Sequence, residues 1–495
     1  MTRVDPAKRR RRRHGDNPSE RLGWIPTSER PAPPPPPEPR PSPRRRQTAD
    51  RDGFYELRRG PHVTTTRQAE VLNIALAARP GWLDRLVVGR NVRTGAAVTY
   101  DPFVSYADPR EPQFTSTVIS VIGNLGMGKS TLMKVLFVAR TLLLGRRVVV
   151  LDKKRQGAAG EYAPIANALG TQSVRFVPGG GPGSSRINLI DPRIGVATAD
   201  GGATSEGRPA GQLELVQRVI ATYLGQPLGA LGIEALRVGL LAAPRRAAAA
   251  GREPDVYDLI WCLQHPDPDQ IRDLYDGSWS AAQLAEWGTE AAAALLVLVN
   301  GELSGVIDGP TSPEVSVDHP SGLTVFDISA LPNSGAALGI VMLLIQTWLA
   351  GLLARRATAR EQTVLVVEEG WHVASGDLGE MFKEQAKLSR ALGLCLVAGF
   401  HHPSDLPQSS PARALMQESS TWFLFGQDKP TDIEETLKIA QLPVELAPVL
   451  AALPRGQCLL VKAGADPEHV DVGISDWEAE LTNTDAQLIG ETGGP

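Results

Sequence analysis

The sequence predicts an α/β fold: a mostly parallel sheet with helices on both faces, an all-helical insertion and a disordered N-terminal tail. Three features carry that expectation. From residue 118 onward, short apolar runs alternate with helical stretches, the pattern of parallel strands covered on both faces. The first of these runs leads directly into a glycine-rich loop and then a helix. Residues 1–60, by contrast, are poor in apolar side chains and rich in proline and arginine.

The elements follow in order. Residues 1–60 hold a basic run from Lys8 to Arg13, a proline tract from Pro33 to Pro37 and a second basic cluster, Arg44, Arg45 and Arg46. Such a composition buries too little surface to offset the entropy of ordering, so a disordered tail is expected, with polyproline II favoured at the proline tract. Residues 61–116 form a lead-in: a short helix over 66–78 stopped by Pro80, then two apolar runs, 86–89 and 97–100, flanking Thr94-Gly95 as a hairpin. The main domain, 117–495, opens on a strand at Val118–Ile122, followed by a helix over 132–144 and a strand over 148–151 that ends on Asp152. A strand is also read over 174–177. Further strands are read at 323–328, 364–367, 394–399 and 422–425, and a terminal hairpin at 458–461 and 470–474. Between about 205 and 305 no strand pattern appears, while Leu213, Val216, Ile220, Tyr223 and Leu224 recur at helical spacing, so an all-helical insertion is expected over 196–310.

Bulk properties narrow the function classes. Hydrophobic residues make up 42% of 495, enough for a large buried core. The three cysteines, Cys262, Cys395 and Cys458, lie far apart without CxxC spacing, which argues against a disulfide framework or a zinc site. The formal net charge of −4 conceals an asymmetry: residues 1–60 carry 16 Lys+Arg and 8 Asp+Glu, a net of +8, leaving −12 for the other 435. A basic tail on an acidic body points to an anionic partner, nucleic acid or a membrane surface. A solvated tail with no fixed partner is the other reading. The apolar stretch 336–353 is long enough to span a bilayer, but it lies between two expected strands and reads as a buried helix.

The chemistry concentrates in two places. Gly123-Asn124-Leu125-Gly126-Met127-Gly128-Lys129-Ser130-Thr131 matches G-x-x-x-x-G-K-[ST] in the required strand–loop–helix context. Glycines there let backbone N–H groups curl round phosphates without Cβ clashes, and the helix N-terminus adds free donors and a favourable dipole. Lys129 is expected to reach the β- and γ-phosphates of ATP, and Ser130 to ligate Mg2+. Downstream, the strand over 364–367 ends on Glu368-Glu369-Gly370-Trp371. Paired with the loop, these acids read as a Walker B site, Glu368 holding Mg2+ and Glu369 polarising the attacking water as general base. The expected fold is then a RecA-like P-loop NTPase domain.

From Leu86 to the C-terminus the chain resembles the TraC/VirB traffic ATPases of type IV secretion systems, within the HerA/FtsK group of P-loop motors. The motifs that carry the resemblance are Gly89-Arg90-Asn91, Thr94-Gly95 and Asp101-Pro102 before the loop; Asp152 with Gly160-Glu161-Tyr162; Ile187-Asn188-Leu189-Ile190-Asp191-Pro192; and the acidic Glu368-Glu369-Gly370-Trp371. Three departures stand out. Glu368 replaces the family's usual aspartate, lengthening the arm to Mg2+ by a methylene. His401-His402-Pro403 stands where the family tends to place a glutamine; His401 either contacts the γ-phosphate or attacking water, or belongs to a histidine pair with no such role. In place of the N-terminal domain of larger members, the basic tail is expected.

The resemblance further implies that Arg390, after Ser389, falls where the family carries an arginine acting on a neighbour's nucleotide; the plainer reading is an exposed helical arginine. Arg455, in Leu453-Pro454-Arg455-Gly456, is a weaker candidate better read as a turn residue. The leading expectation is a homo-hexameric, cytoplasmic ATPase, peripheral at the inner face of the cell membrane, working with membrane-embedded secretion components. A DNA-translocating coupling protein or pump is the first alternative, disfavoured by the absence of spans in residues 1–117 and by the acidic body. A regulatory nucleotide-binding module with little turnover is the second, disfavoured by intact Lys129, Ser130 and Glu369.

Overall fold

A computed structural model describes residues 85–108, 116–157, 159–193, 211–315, 321–332, 335–359, 361–368, 393–408 and 410–482. The tail over 1–60, the helix expected over 66–78, Glu369, Trp371 and Arg390 lie outside the described residues.

Thirteen strands are described: β1 (Leu86–Asn91), β2 (Ala97–Tyr100), β3 (Val118–Ile122), β4 (Arg147–Asp152), β5 (Arg155–Gln156), β6 (Ala159–Gly160), β7 (Val174–Arg175), β8 (Leu323–Asp327), β9 (Thr363–Val367), β10 (Leu394–Phe400), β11 (Thr421–Phe425), β12 (Gln457–Lys462) and β13 (Glu468–Val472). Eleven form one sheet in the order β2-β1-β13-β12-β11-β3-β10-β9-β4-β8-β7; β5 and β6 pair separately as a short ribbon. From β11 to β7 every neighbouring pair is parallel, and β12, β13, β1 and β2 extend the sheet antiparallel. The sheet is therefore mostly parallel, as the apolar runs predicted.

Those runs lack polar alternation because each strand feeds two cores. In β3, Val118 and Ile122 enter one buried cluster while Ile119 and Val121 enter the other. The same division holds for Val149 and Leu151 against Val148 and Val150 in β4. Successive side chains point to opposite faces, so a strand covered on both sides carries apolar residues on each face instead of alternating with polar ones.

The helix after β3 covers one face. It runs as Lys129–Leu132, a π-wound Met133–Arg140 and Thr141–Leu143, then stops at Gly145 in the left-handed region (φ 70°). Thr141 Oγ1 donates to the carbonyl five residues back, Leu136 O, at 2.9 Å, in keeping with the wider winding. On the other face, Ala336–Thr358 packs against Gln212–Leu224, the first of five helices between residues 212 and 300. The remaining four are Ala230–Ala249, Val256–Gln264, Pro268–Tyr275 and Ala281–Asn300, with no strand among the described residues of that stretch. Among the described residues, Ala281–Asn300 and Ala336–Leu353 are long and apolar enough to cross a membrane, but the second is 83% buried within the protein. It is a core helix of the sheet layer.

Local differences from the sequence reading have local causes. The strand expected over 174–177 keeps register with β8 at Val174 and Arg175, and Phe176 N–H still donates to Asp327 O (3.1 Å). Beyond that, the N–H of Val177 turns to Ser184 Oγ (3.2 Å). The last strand begins at Glu468 rather than Val470, because Glu468 and His469 pair with Leu460 and Leu459 across the hairpin.

Candidate nucleotide-binding site

The phosphate-type loop hangs between the ends of β3 and β11. Gly123 has a φ of 151°, and a Cβ there would lie 2.6 Å from Phe425 Cβ, so only glycine lets the loop pass under β11. Gly126 (φ 76°) and Gly128 (φ 108°) also need positive φ, but a Cβ on Gly126 would meet nothing within 4 Å. Main-chain bonds hold the loop from several sides: Asn124 N–H donates to Gly426 O (3.0 Å) and Gly456 N–H to Met127 O (3.0 Å). The second bond brings the turn containing the exposed Arg455 against the loop of its own chain. Asn124 Nδ2 also donates to Asp428, and that bond holds the Asp428 carboxyl below its ordinary range.

Lys129 is 5% exposed, and its Nζ donates to Gly123 O (2.6 Å) and Asn124 O (2.7 Å). His401 Nδ1 lies 3.0 Å from the same Nζ. The loop therefore pre-forms around its lysine, with the ammonium held by carbonyls that a bound phosphate would replace. Ser130 and Thr131, half-buried, follow at the N-terminus of the helix, where backbone N–H groups are free of intrahelical partners. The adjoining His402 Nδ1 pairs with Asp432 Oδ2 at 2.8 Å, and Ser404 also donates to Asp432, fixing the turn after β10 to helix Pro430–Ile439.

Glu368 follows β9 and is 4% exposed. Its Oε1 accepts from the Tyr162 hydroxyl at 2.8 Å. A Cβ on Gly399 of β10 would stand 3.8 Å from Glu368 Oε2 and 3.1 Å from Met133 Sδ, so the carboxylate faces the helix that follows the loop. Burial raises the Glu368 carboxyl, and the charge of Glu161 adds to it. Around it, Lys134 Nζ pairs with Glu161 Oε1 (2.9 Å), both almost fully buried. Asp152 Oδ2 accepts from the Tyr162 N–H (2.8 Å), and burial raises Asp152 well above the carboxylate range. Asp327 Oδ2 accepts from Gly160 N–H (2.9 Å).

The structure thus brings together Gly123, Asn124, Gly126, Met127, Gly128, Lys129, Ser130, Thr131, Glu368 and His401 at the carboxyl ends of β3, β10 and β9. The order β3-β10-β9 sets one strand between the loop and the acid. Glycines with positive φ beside free helix N–H groups suit a phosphate chain, and a serine hydroxyl with a carboxylate suits a hard cation such as Mg2+. Sequence reasoning quoted Tyr162 within a motif but assigned it no role, and missed Lys134, Asp327 and Asp428. A buried Lys and Tyr beside Gly160-Glu161 were the available clue.

A strand–loop–helix carrying these groups, with one strand between loop and acid, defines the RecA-like P-loop NTPase fold. No family model matches the chain, and no curated protein matches it. Among solved structures it is similar to VirB4 of Thermoanaerobacter pseudethanolicus, at 21% identity and a TM-score of 0.58 over 81% of this chain and 100% of that chain. It is also similar to the bacterial conjugative coupling protein TrwB, at 15% identity and a TM-score of 0.43 over 81% of this chain and 95% of that chain. The VirB4 likeness establishes a shared fold, and the resemblance read from the motifs is met at that level.

Proposed function

We propose that this chain is an ATP-hydrolysing motor that energises assembly or substrate transfer in a conjugation or type IV secretion-like apparatus. The observation that carries the reading is the end of β10. Gly399 there adjoins both Glu368 and the phosphate-loop helix, while His401 reaches Lys129, which supports reading loop and acid as one site. The VirB4-like fold supports the choice of apparatus.

In this reading Lys129 leaves the Gly123 and Asn124 carbonyls to pair with the β- and γ-phosphates, and loop N–H groups hold the remaining oxygens. Ser130 and Glu368 would hold Mg2+, which would supply neutralising charge to those phosphates. Glu369 takes the proton of the attacking water, and His401 stands beside the lysine at the γ-phosphate end. Arg390 serves a neighbouring subunit's site in a homo-hexamer. The motor works in the cytoplasm at the membrane face, against membrane-embedded components, with the basic tail on anionic lipid or nucleic acid.

Two variants test the site. Lys129→Ala should lose nucleotide affinity, because the main cationic partner of the phosphates is gone. Glu369→Gln should bind ATP normally and lose turnover, because only the base is removed. Normal turnover in Glu369→Gln would sink the assignment. Strong stimulation of the unmodified protein by DNA would shift the reading to a DNA-translocating pump.

A further inference from the structure

We infer that Tyr162 is a positioning residue for Glu368: its hydroxyl holds one carboxylate oxygen so that the other is presented to the cation. The inference rests on the proposed Mg2+–nucleotide site and assigns a role to a residue 206 positions upstream of the acid.

Geometry carries it. Glu368 Oε1 accepts from the Tyr162 hydroxyl at 2.8 Å, with both residues almost fully buried, which leaves Oε2 on the side of Gly399 and Met133. A glutamate has one more rotatable bond than an aspartate and reaches its cation through a longer, looser arm. A fixed hydrogen bond to one oxygen removes that freedom, as partners behind a metal ligand generally do. Tyr162 is itself immobilised from three elements. Its N–H is held by Asp152 at the end of β4 (2.8 Å). The preceding Gly160 N–H is held by Asp327 at the end of β8 (2.9 Å). No side chain fits at Gly160, where a Cβ would stand 2.2 Å from Asp152 Oδ2. Lys134, from the helix after the phosphate loop, lies 5.4 Å from the ring centroid while pairing with Glu161. A tyrosine needed only to fill the core would not require a carboxylate at its hydroxyl, since phenylalanine fills the same volume without a buried polar group.

The test uses the full chain and a fluorescent ATP analogue titrated in EDTA and against Mg2+. Tyr162→Phe should keep the unmodified protein's melting temperature within a few degrees and its EDTA affinity. The Mg2+ concentration giving half of the cation-dependent gain in affinity should rise about ten-fold or more. Glu368→Asp approaches the same contact from the other side: its shorter arm withdraws from the hydroxyl, and a similar rise is expected. In a Glu368→Ala background, Tyr162→Phe should add nothing, because the two act as a unit. Unchanged Mg2+ half-saturation in folded Tyr162→Phe, alongside a loss in Glu368→Ala, overturns the role of Tyr162 while leaving the site intact. No cation-dependent gain in the unmodified protein overturns the site itself. Equal weakening with and without Mg2+ reduces Tyr162 to a core residue.

Discussion

At the scale of single residues, the phosphate-type loop separates two demands on glycine. Gly123 and Gly126 both have positive φ, but a Cβ on Gly123 would collide with Phe425 whereas one on Gly126 would enter open space. Gly126→Ala should cost about 1–2 kcal/mol of backbone strain, relieved by local adjustment of an exposed loop. Gly123→Ala adds an overlap that only movement of β11 relieves, so it should lower the melting temperature clearly more. Thermal melts of the two variants check this; equal losses would mean that the loop does not sit under β11. Of the candidate site, the glycines, Lys129, Ser130 and Glu368 could be nominated from sequence because such a loop is contiguous and its candidate acid closes an apolar strand. The Tyr162–Glu368 bond was not, because nothing local couples residues so distant in the chain.

At the scale of elements, the helix after the loop is tied to the far end of the chain. Arg140 pairs with Glu478 of the C-terminal helix Asp476–Thr482 (2.7 Å) and also donates to Val87 O and to Gly473 O (2.8 Å). Burial alone would raise the Glu478 carboxyl, but the Arg140 guanidinium together with the Ser475 N–H and hydroxyl outweighs it, and the carboxyl is held below its ordinary range. A depressed carboxyl contributes stability that is complete above the unfolded value, about 4.3, and lost as pH falls through the folded one. Glu478→Gln should therefore destabilise at neutral pH, by about 3 kcal/mol for a broken buried pair. It should also make stability less steep in pH on the acid side. Melts between pH 3 and 7 measure both, and an unchanged acid limb would show that the pair carries no linkage. Hairpins β1–β2 and β12–β13 were readable because their strands are neighbours in sequence. The pairing of β1 with β13, which closes the two ends together, was not.

At the scale of the whole molecule, the proposed motor needs partners of its own kind. If Arg390 completes a neighbour's site, specific activity should rise with protein concentration, and Arg390→Ala should flatten that rise while sparing nucleotide binding. A finger supplied in trans is worth about 10³-fold or more in turnover when engaged. Arg390→Ala subunits mixed with Glu369→Gln subunits should regain activity, since the first keep their own base and borrow an arginine from the second. Absence of rescue in demonstrably mixed oligomers, with activity independent of concentration, would leave the ring without support.

The sequence by itself determined the strands of the large sheet, though not the short β5–β6 ribbon, marked where a candidate loop and acid lie, and put the apolar stretch at 336–353 inside the protein. Each of these is written in local composition: period, glycine placement, a charge at a strand end. Only the tertiary structure decided the strand order that sets β10 between loop and acid, the passage of Gly123 beneath Phe425, and the enclosure of Glu368 by Tyr162, Glu161 and Lys134. Parallel strands pair with partners far away in the chain, and many orders satisfy the same apolar pattern. The order that forms is the one in which both faces are covered and the buried acids find donors.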